Sequence, residues 1–414
     1  MKILYLAAAR ALNGGISLLI VFVLSNYFTP AEYGRFGLVY SAYVTVSTFC
    51  FFWLGAYLFR FSDVSRTRVS LLQLTLMSVF MMACIATALS LFGFAPTYGD
   101  SIIIALGAVA LGGFSVVQEF LAGRQYYQRY LFTSILRFGL AVALVLIALK
   151  YFRDPMAVMV AIIFAMAVPA AIMFGAHGAG ATVLRLAHMR RIDTTEIASV
   201  LRYSAPFVAI SLTLAVINVA DRLVIGHVLD LKSVGLYVGA QDLTMQIIGA
   251  FAGVLLLRTA VPSMRAFDGQ GITRVTARAF LRRMALAGGG FMGLIGVCLA
   301  LAPQTYFLLL APEAQQEARN FYVLLTIGGG VFFLTRLIFH TVLMIEKRSH
   351  IMAVASLIVL FANVAGNLML VPGYGLSGAA AALVLSSLLG LVYSAFVTRK
   401  FWVAVIITAM EDEK

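Results

Sequence analysis

The chain has 414 residues, of which 62% are apolar and only 11% are Asp, Glu, Lys or Arg. A soluble domain carries about 25% of these charged residues, so a mean hydropathy of +0.99 leaves too little polar surface for a water-soluble globule. The net charge of +13 sits in short loops between apolar runs and not on one continuous face, which argues for topology-setting charge and against a nucleic-acid partner.

In chain order, Lys2 and Arg10 precede an apolar stretch reaching Phe28. A cleavable signal would end sooner, at a small-residue site, so this stretch reads as an uncleaved first span. Further spans are expected over 37–59, 69–93, 101–122, 131–149 and 156–176, the first itself covering 11–28. A second set follows over 203–226, 235–257, 284–302, 321–344, 351–371 and 377–398. Each approaches the ~20 apolar residues that a helix needs to cross hydrocarbon. Runs such as Leu286–Leu301 do not alternate, which excludes a β-barrel. Phe401–Met410 is too short to cross and reads as an interfacial piece. Cys50, Cys84 and Cys298 lie singly in apolar runs, with no disulfide or metal site implied.

The positive-inside rule tests this count. Most of the 30 Lys and Arg residues fall on the side of the N-terminus, including Arg60, Arg66 and Arg68; Arg185, Arg190 and Arg191; and Arg258, Arg265, Arg274, Arg278, Arg282 and Arg283. Only Arg35, Lys150, Arg153, Lys232 and Arg319 fall opposite. Both termini are therefore expected in the cytoplasm. The fold class is all-α and polytopic, with about twelve transmembrane helices. The expected parts are an N-terminal six-helix bundle over 1–180, a basic cytoplasmic linker over 181–202, a C-terminal six-helix bundle over 203–400 and a cytoplasmic tail over 401–414. Six spans per half make the halves parallel repeats. Phe28–Phe36 and Leu229–Tyr237 carry a faint trace of duplication, each with a turn glycine (Gly34, Gly235) and an aromatic two residues later.

No HExxH, CxxC, GxSxG or Walker-type loop occurs, so no catalytic residue, metal site or cofactor is expected. Gly288–Gly290 and Gly328–Gly330 suit close helix packing or hinges. Charges inside spans are the informative features, because they are costly there and face a bundle interior or a wet cavity. Asn218, Asp221 and Arg222 share a face of the seventh span by their spacing. They suit either a local ion pair near the outer end, with Arg222 snorkelling, or a cavity role. Asp242 and Gln246, four apart on the eighth span, can both face the seventh. Arg336 and His340, four apart within the tenth, place a cation and a titratable imidazole where an anionic head group could pass; an interhelical hydrogen-bond network is the plainer alternative. Arg137, Gln118 and Glu119 lie nearer helix ends. Asn363 and Asn367 read as packing glue in the eleventh span.

Asp221-Arg-Leu-Val-Ile-Gly226 followed by Val234-Gly-Leu-Tyr237 and Ala240 resembles the central signature of the Wzx-like polysaccharide and oligosaccharide flippases. Pro30-Ala-Glu-Tyr-Gly34 resembles that family's first external loop, and Val371-Pro-Gly-Tyr-Gly375-Leu-Ser-Gly378 its turn between the last two spans. The resemblance implies a MATE-like fold of the multidrug, oligosaccharidyl-lipid and polysaccharide exporter superfamily, with two bundles facing a central cavity. It also implies an undecaprenyl-pyrophosphate-linked oligosaccharide as cargo, carried from the cytoplasmic to the periplasmic leaflet of a bacterial inner membrane. Partners would be the lipid bilayer, that cargo, and a polysaccharide polymerase with a chain-length regulator. The expected pathway residues are Arg336, His340, Arg222, Asp221, Asn218, Asp242, Gln246, Arg137 and Glu119, with Asp221, Asp242 and Glu119 as ion-coupling candidates. Competing readings are an ion-coupled exporter of drugs or metabolites on the same fold, and an intramembrane glycosyltransferase or polymerase, which the short external loops disfavour.

Overall fold

In hydrocarbon every backbone N–H and C=O must be satisfied within the chain, and helices do so locally. The computed structural model describes residues 2–60, 98–124, 126–176, 213, 215–217, 219–301, 310 and 312–411. Among these the secondary structure is entirely helical, as the composition requires. The expected span over 69–93, the linker over 181–202, positions 203–212 of the seventh span, Cys84 and Asn218 lie outside the described residues.

The elements are α1 (Lys2–Tyr27), α2 (Pro30–Arg60), α3 (Tyr98–Gly123), α4 (Tyr127–Tyr151), α5 (Pro155–Ala176), an unlabelled helical stretch over 219–228, α6 (Leu231–Gln270), α7 (Arg274–Leu301), α8 (Pro312–Ala318), α9 (Tyr322–Thr335), a π-helical turn (Arg336–His340), α10 (Thr341–Ile345) and α11 (Ser349–Met410). Six helices are long and apolar enough to cross a membrane among the described residues.

Element α11 has 62 residues. Straight, it would measure about 90 Å at 1.5 Å per residue, three times a hydrocarbon core. It is instead a hairpin. Gly375 breaks the helical dihedrals at φ 58°, ψ −137°, a combination open to glycine because it lacks a Cβ. On either side, Gly378 meets the backbone at Leu370, Gly366 meets Ala382, and Gly390 meets Val359. These pairs step evenly inward to the turn, the signature of two antiparallel arms. The arms match the expected eleventh and twelfth spans.

The chain forms two compact units, Met1–Leu19 with Arg35–Val219, and Ile20–Gly34 with Ala220–Lys414. In the first, Gly107 and Gly112 let α3 lie against the rings of Tyr43 and Phe51 of α2. Arg35 donates to both carboxylate oxygens of the buried Asp100, at 3.0 and 3.1 Å.

In the second unit, the motifs singled out as a repeat trace begin helices in the same register. Thr29 and Glu32 form a capping box at the start of α2, with the Thr29 N–H donating to Glu32 at 2.8 Å and the Glu32 N–H to the Thr29 hydroxyl at 3.3 Å. Asp230 caps α6 by accepting from the Ser233 N–H at 2.6 Å, which holds its carboxyl below the usual carboxylate range. One turn into each helix, Gly34 and Gly235 pack on one another. A Cβ on Gly34 would overlap the Leu231 carbonyl, and one on Gly235 the Pro30 carbonyl. The contact is reciprocal.

The two glycine runs behave differently. Gly328–Gly330 are buried against Leu383, Met245 and Ile295, as close packing requires. Gly289 and Gly290 are exposed with open space beside them, and Gly288 meets only the end of Ile338. That run does not serve helix packing. The chain also does not leave its last helix at 398. The tail Phe401–Met410 continues α11 and buries Phe401, Val405 and Ala409 against Ala277, Phe280 and Met284 of α7. Arg278 Nε donates to the Ala409 carbonyl at 2.9 Å, satisfying one of the terminal acceptors of the helix.

Candidate functional site

The membrane-spanning part of the second unit holds two polar clusters. The first is built on the 219–228 helix, α6 and the first arm of α11. Asp221 is fully buried. Its Oδ1 accepts from Asn367 Nδ2 at 2.7 Å, and its Oδ2 accepts from Gln241 Nε2 at 3.2 Å and the Tyr237 hydroxyl at 3.4 Å. Asn367 Nδ2 also meets Asn363, at 2.9 Å from its carbonyl and 3.2 Å from Oδ1. Gln241 Oε1 and Asn367 Oδ1 are buried and accept no hydrogen bond among the described residues. A carboxylate with two spare amide oxygens nearby is a set of oxygen donors suited to a small cation.

Arg222, adjacent in sequence, turns elsewhere. It is 2% exposed, and its Nη2 lies 2.6 Å from Asp242 Oδ1 on α6. The structure therefore replaces a local Asp221–Arg222 pair and a snorkelling arginine with a cross-helix pair. Adjacent residues of one helix point about 100° apart, so Asp221 meets α11 and the Tyr237–Gln241 turn of α6, while Arg222 reaches Asp242 on α6. Gln246 lies one turn beyond Asp242 and joins neither group among the described residues.

The second cluster lies where α9, the π-helical turn and both arms of α11 meet. A π-turn inserts one residue into the helical ladder and often marks a functional position. Arg336 and His340 bound this one. With Phe332, Thr335, Ser356, Ser387 and Ser394 they line a small cavity of about 20 Å³, room for about one water. Arg336 stacks over the Phe332 ring with Cζ 5.6 Å from its centroid. It makes no ion pair or hydrogen bond among the described residues.

The remaining candidates belong to the first unit. Arg137 donates to Asn13 Oδ1 at 3.2 Å and lies 4.8 Å over the Phe114 ring. Gln118 donates to the Thr133 hydroxyl at 2.8 Å, and Glu119 is half-buried one position along α3. Tyr237 stood in the repeat trace and the family signature without a partner assigned to it; spacing did not single out Gln241, Ser387 or Ser394, and it placed Asn367 outside the polar groups. A run of polar positions on the core face of an apolar span is the only sequence signal they carry.

The apolar helices and their buried polar clusters together describe a multi-pass α-helical membrane protein. Over 99% of this chain and 94% of the other, it superposes on the lipid II flippase MurJ in an inward closed conformation, at TM-score 0.69 and 12% identity. It also superposes on an inward-facing multidrug resistance MATE family transporter of the MOP superfamily, at TM-score 0.59 and 16% identity over 99% and 96% of the two chains. A eukaryotic MATE transporter aligns at TM-score 0.61 and 13% identity over 99% and 96%. No curated protein sequence matches. The profile of the polysaccharide biosynthesis protein family matches residues 1–266, and the chain belongs to that family.

Proposed function

We propose that the protein is a flippase, carrying an undecaprenyl-pyrophosphate-linked oligosaccharide from the cytoplasmic to the periplasmic leaflet of the bacterial inner membrane by alternating access. Membership of the polysaccharide biosynthesis family carries this reading. A pyrophosphate and its sugars cannot cross hydrocarbon unaided, whereas a polyprenyl tail can remain in lipid. The protein must supply cations and hydrogen-bonding groups for the head alone. Arg336, which has no counter-charge among the described residues, supplies such a cation within a spanning segment, and the basic bias left by Arg137 and Arg336, with Arg222 paired to Asp242, disfavours cationic drugs as cargo.

Asp221 is the coupling residue in this reading, because its carboxylate lies beside unfilled amide oxygens. Asp242 is already neutralised by Arg222. A proton or sodium ion at Asp221 would bias the equilibrium between inward and outward states. A polymerase and a chain-length regulator would take up the product on the far side.

The test is flipping of a lipid-linked oligosaccharide in proteoliposomes. The wild-type chain should translocate it, and Arg336→Ala should slow translocation at least ~10-fold, the equivalent of about 1.4 kcal/mol, at unchanged membrane level. Wild-type rates in that variant would remove Arg336 from the path. Sugar transfer by the purified protein would overturn the transporter reading.

A further inference from the structure

We infer that the exposed faces of α7 and of the second arm of α11 form a binding site for an anionic phospholipid, held by Arg278, Arg282, Arg399 and Lys400. The packing of the two helices sets the heights of these cations. Phe280 of α7 meets Phe401 and Trp402 of α11 with ring centroids 5.8 and 5.5 Å apart, while Arg278 reaches the Ala409 carbonyl at 2.9 Å. The helices therefore run antiparallel. Arg282 lies two residues past Phe280 and Arg399 two residues before Phe401, so both stand at one height, with Lys400 beside them and Arg278 one turn away.

All four basic residues are exposed. On α7, Leu286 follows Arg282 by four residues, about 6 Å along the axis, and is 68% exposed. On α11, Val392, Phe396 and Arg399 are spaced by four and then three residues, which places them on one stripe, and Phe396 is 57% exposed. Leu286, Val392 and Phe396 belong to helices apolar enough to cross a membrane, so their exposed faces meet lipid. Both helices thus pass from lipid-facing apolar residues to basic ones at the same level, where the phosphates of a leaflet lie. The Arg399 guanidinium is turned back toward the span, with Cζ 4.2 Å from the Phe396 ring centroid.

Charge and apolar surface then select the ligand. None of the four cations makes an ion pair among the described residues. Arg278 and Arg282 are four apart on one helix, a spacing at which like charges repel, so the ligand must bring negative charge. Val275 and Val403, one turn beyond Arg278 and Arg399, are exposed as well. A soluble phosphate gains nothing from them. A phospholipid offers phosphate oxygens to the forked guanidiniums and its glycerol and acyl groups to the valines. A zwitterionic head group carries its own cation, so the four basic residues favour a lipid of net negative charge.

This site needs neither a cargo nor a direction of transport, and it stands apart from the flippase reading. The experiment follows the thermal midpoint of the full chain in nonionic detergent while phosphatidylglycerol, phosphatidylcholine or glycerophosphate is added. Phosphatidylglycerol should raise the midpoint saturably, by several degrees, and the other two should not. The double variant Arg282→Gln, Arg399→Gln, both at exposed positions, should weaken the apparent affinity at least ~10-fold. The double variant Lys232→Gln, Arg319→Gln, which removes two exposed cations near the starts of α6 and α9, should respond as wild type. Should the arginine variant fail to fold, the wild-type response should weaken as salt rises from about 0.1 to about 1 M, which shortens the screening length from about 10 to about 3 Å. An equal response to phosphatidylcholine, an unchanged response in the arginine variant, or a salt-independent one overturns the inference. An equal response to glycerophosphate makes this a site for soluble phosphate and overturns it too. Absence of flipping with the phospholipid response intact would overturn the proposed function and leave this site standing.

Discussion

Asp221, fully buried, and Asp242, part-exposed, are both carboxylates near Arg222, yet they predict opposite consequences. Asp242 is the ionic partner of a cation that is 2% exposed. Removing its charge takes an ionic partner from Arg222, and breaking a buried pair on one side is costly. Asp242→Asn is expected to lower stability by about 2–3 kcal/mol, less than a fully enclosed pair because the Asp242 side chain is 28% exposed. The double variant Arg222→Gln, Asp242→Asn should recover most of that loss in a thermal double-mutant cycle. Additive losses would show that the pair is not a unit. Asp221 accepts three hydrogen bonds from neutral side chains. Asp221→Asn keeps the shape while removing the charge, so it should abolish dependence of transport on a proton or sodium gradient with little loss of folding. Retained gradient dependence would take the coupling role from Asp221. Periodicity showed that Asp242 could face the seventh span, but it left Arg222 with a local ion pair or a cavity role, so the Arg222–Asp242 pair itself was not read. The Asn367–Asp221 bond was hidden, since nothing local encodes that a polar side chain will meet one 146 positions further along the chain.

Helices here are joined by glycine where backbones touch and by aromatic clusters where they do not. Gly34 and Gly235 carry the first mode, and any side chain at either would collide with the opposite carbonyl. Gly235→Ala should therefore cost about 1–3 kcal/mol, the range for overpacking, measured as a lower midpoint in detergent. A neutral outcome would mean the two helix starts can part freely. The second mode is the cluster of Phe267, Phe280, Phe401 and Trp402, whose ring centroids lie 5.5 to 6.4 Å apart. Phe401→Ala opens a cavity there and should cost about 3 kcal/mol. A change below 0.5 kcal/mol would mark the tail as a passenger. Apolar runs and turn residues showed where most elements lie, including both arms of α11 around Gly375. They could not show that Phe401–Met410 prolongs the last helix, because a ten-residue apolar stretch reads alike as an interfacial piece or as a helix extension. Its partner face on α7, Ala277–Phe280–Met284, lies far off in sequence.

At the scale of the molecule, topology is the property on which transport depends, and parity governs it. Each span reverses the side of every later loop, so one miscounted helix inverts the rest. On the topology expected from the charge asymmetry, Lys150, Arg153, Lys232 and Arg319 would lie on the outer face, and the loops at Gly271 and Lys347 on the inner one. The helix ends offer accessible positions at which to test this alternation. Phe152 lies just beyond α4, Leu229 just before α6 and Asn320 just before α9, all exposed; Gly271, after α6, and Lys347, before α11, are exposed as well. Single cysteines at positions 152, 229 and 320 of an otherwise cysteine-free chain should thus react with an impermeant maleimide from the periplasmic side. Cysteines at 271 and 347 should react only after the membrane is opened. The boundary falls twice in the chain, so the pattern is demanding. If 152 and 229 label from opposite sides, the stretch between them holds an odd number of crossings and the expected pair of spans there is wrong. If 229 and 271 share a side, α6 does not cross. The full alternation would fix both ends of the Asp221 and Arg336 clusters relative to the membrane, which a directional transporter needs.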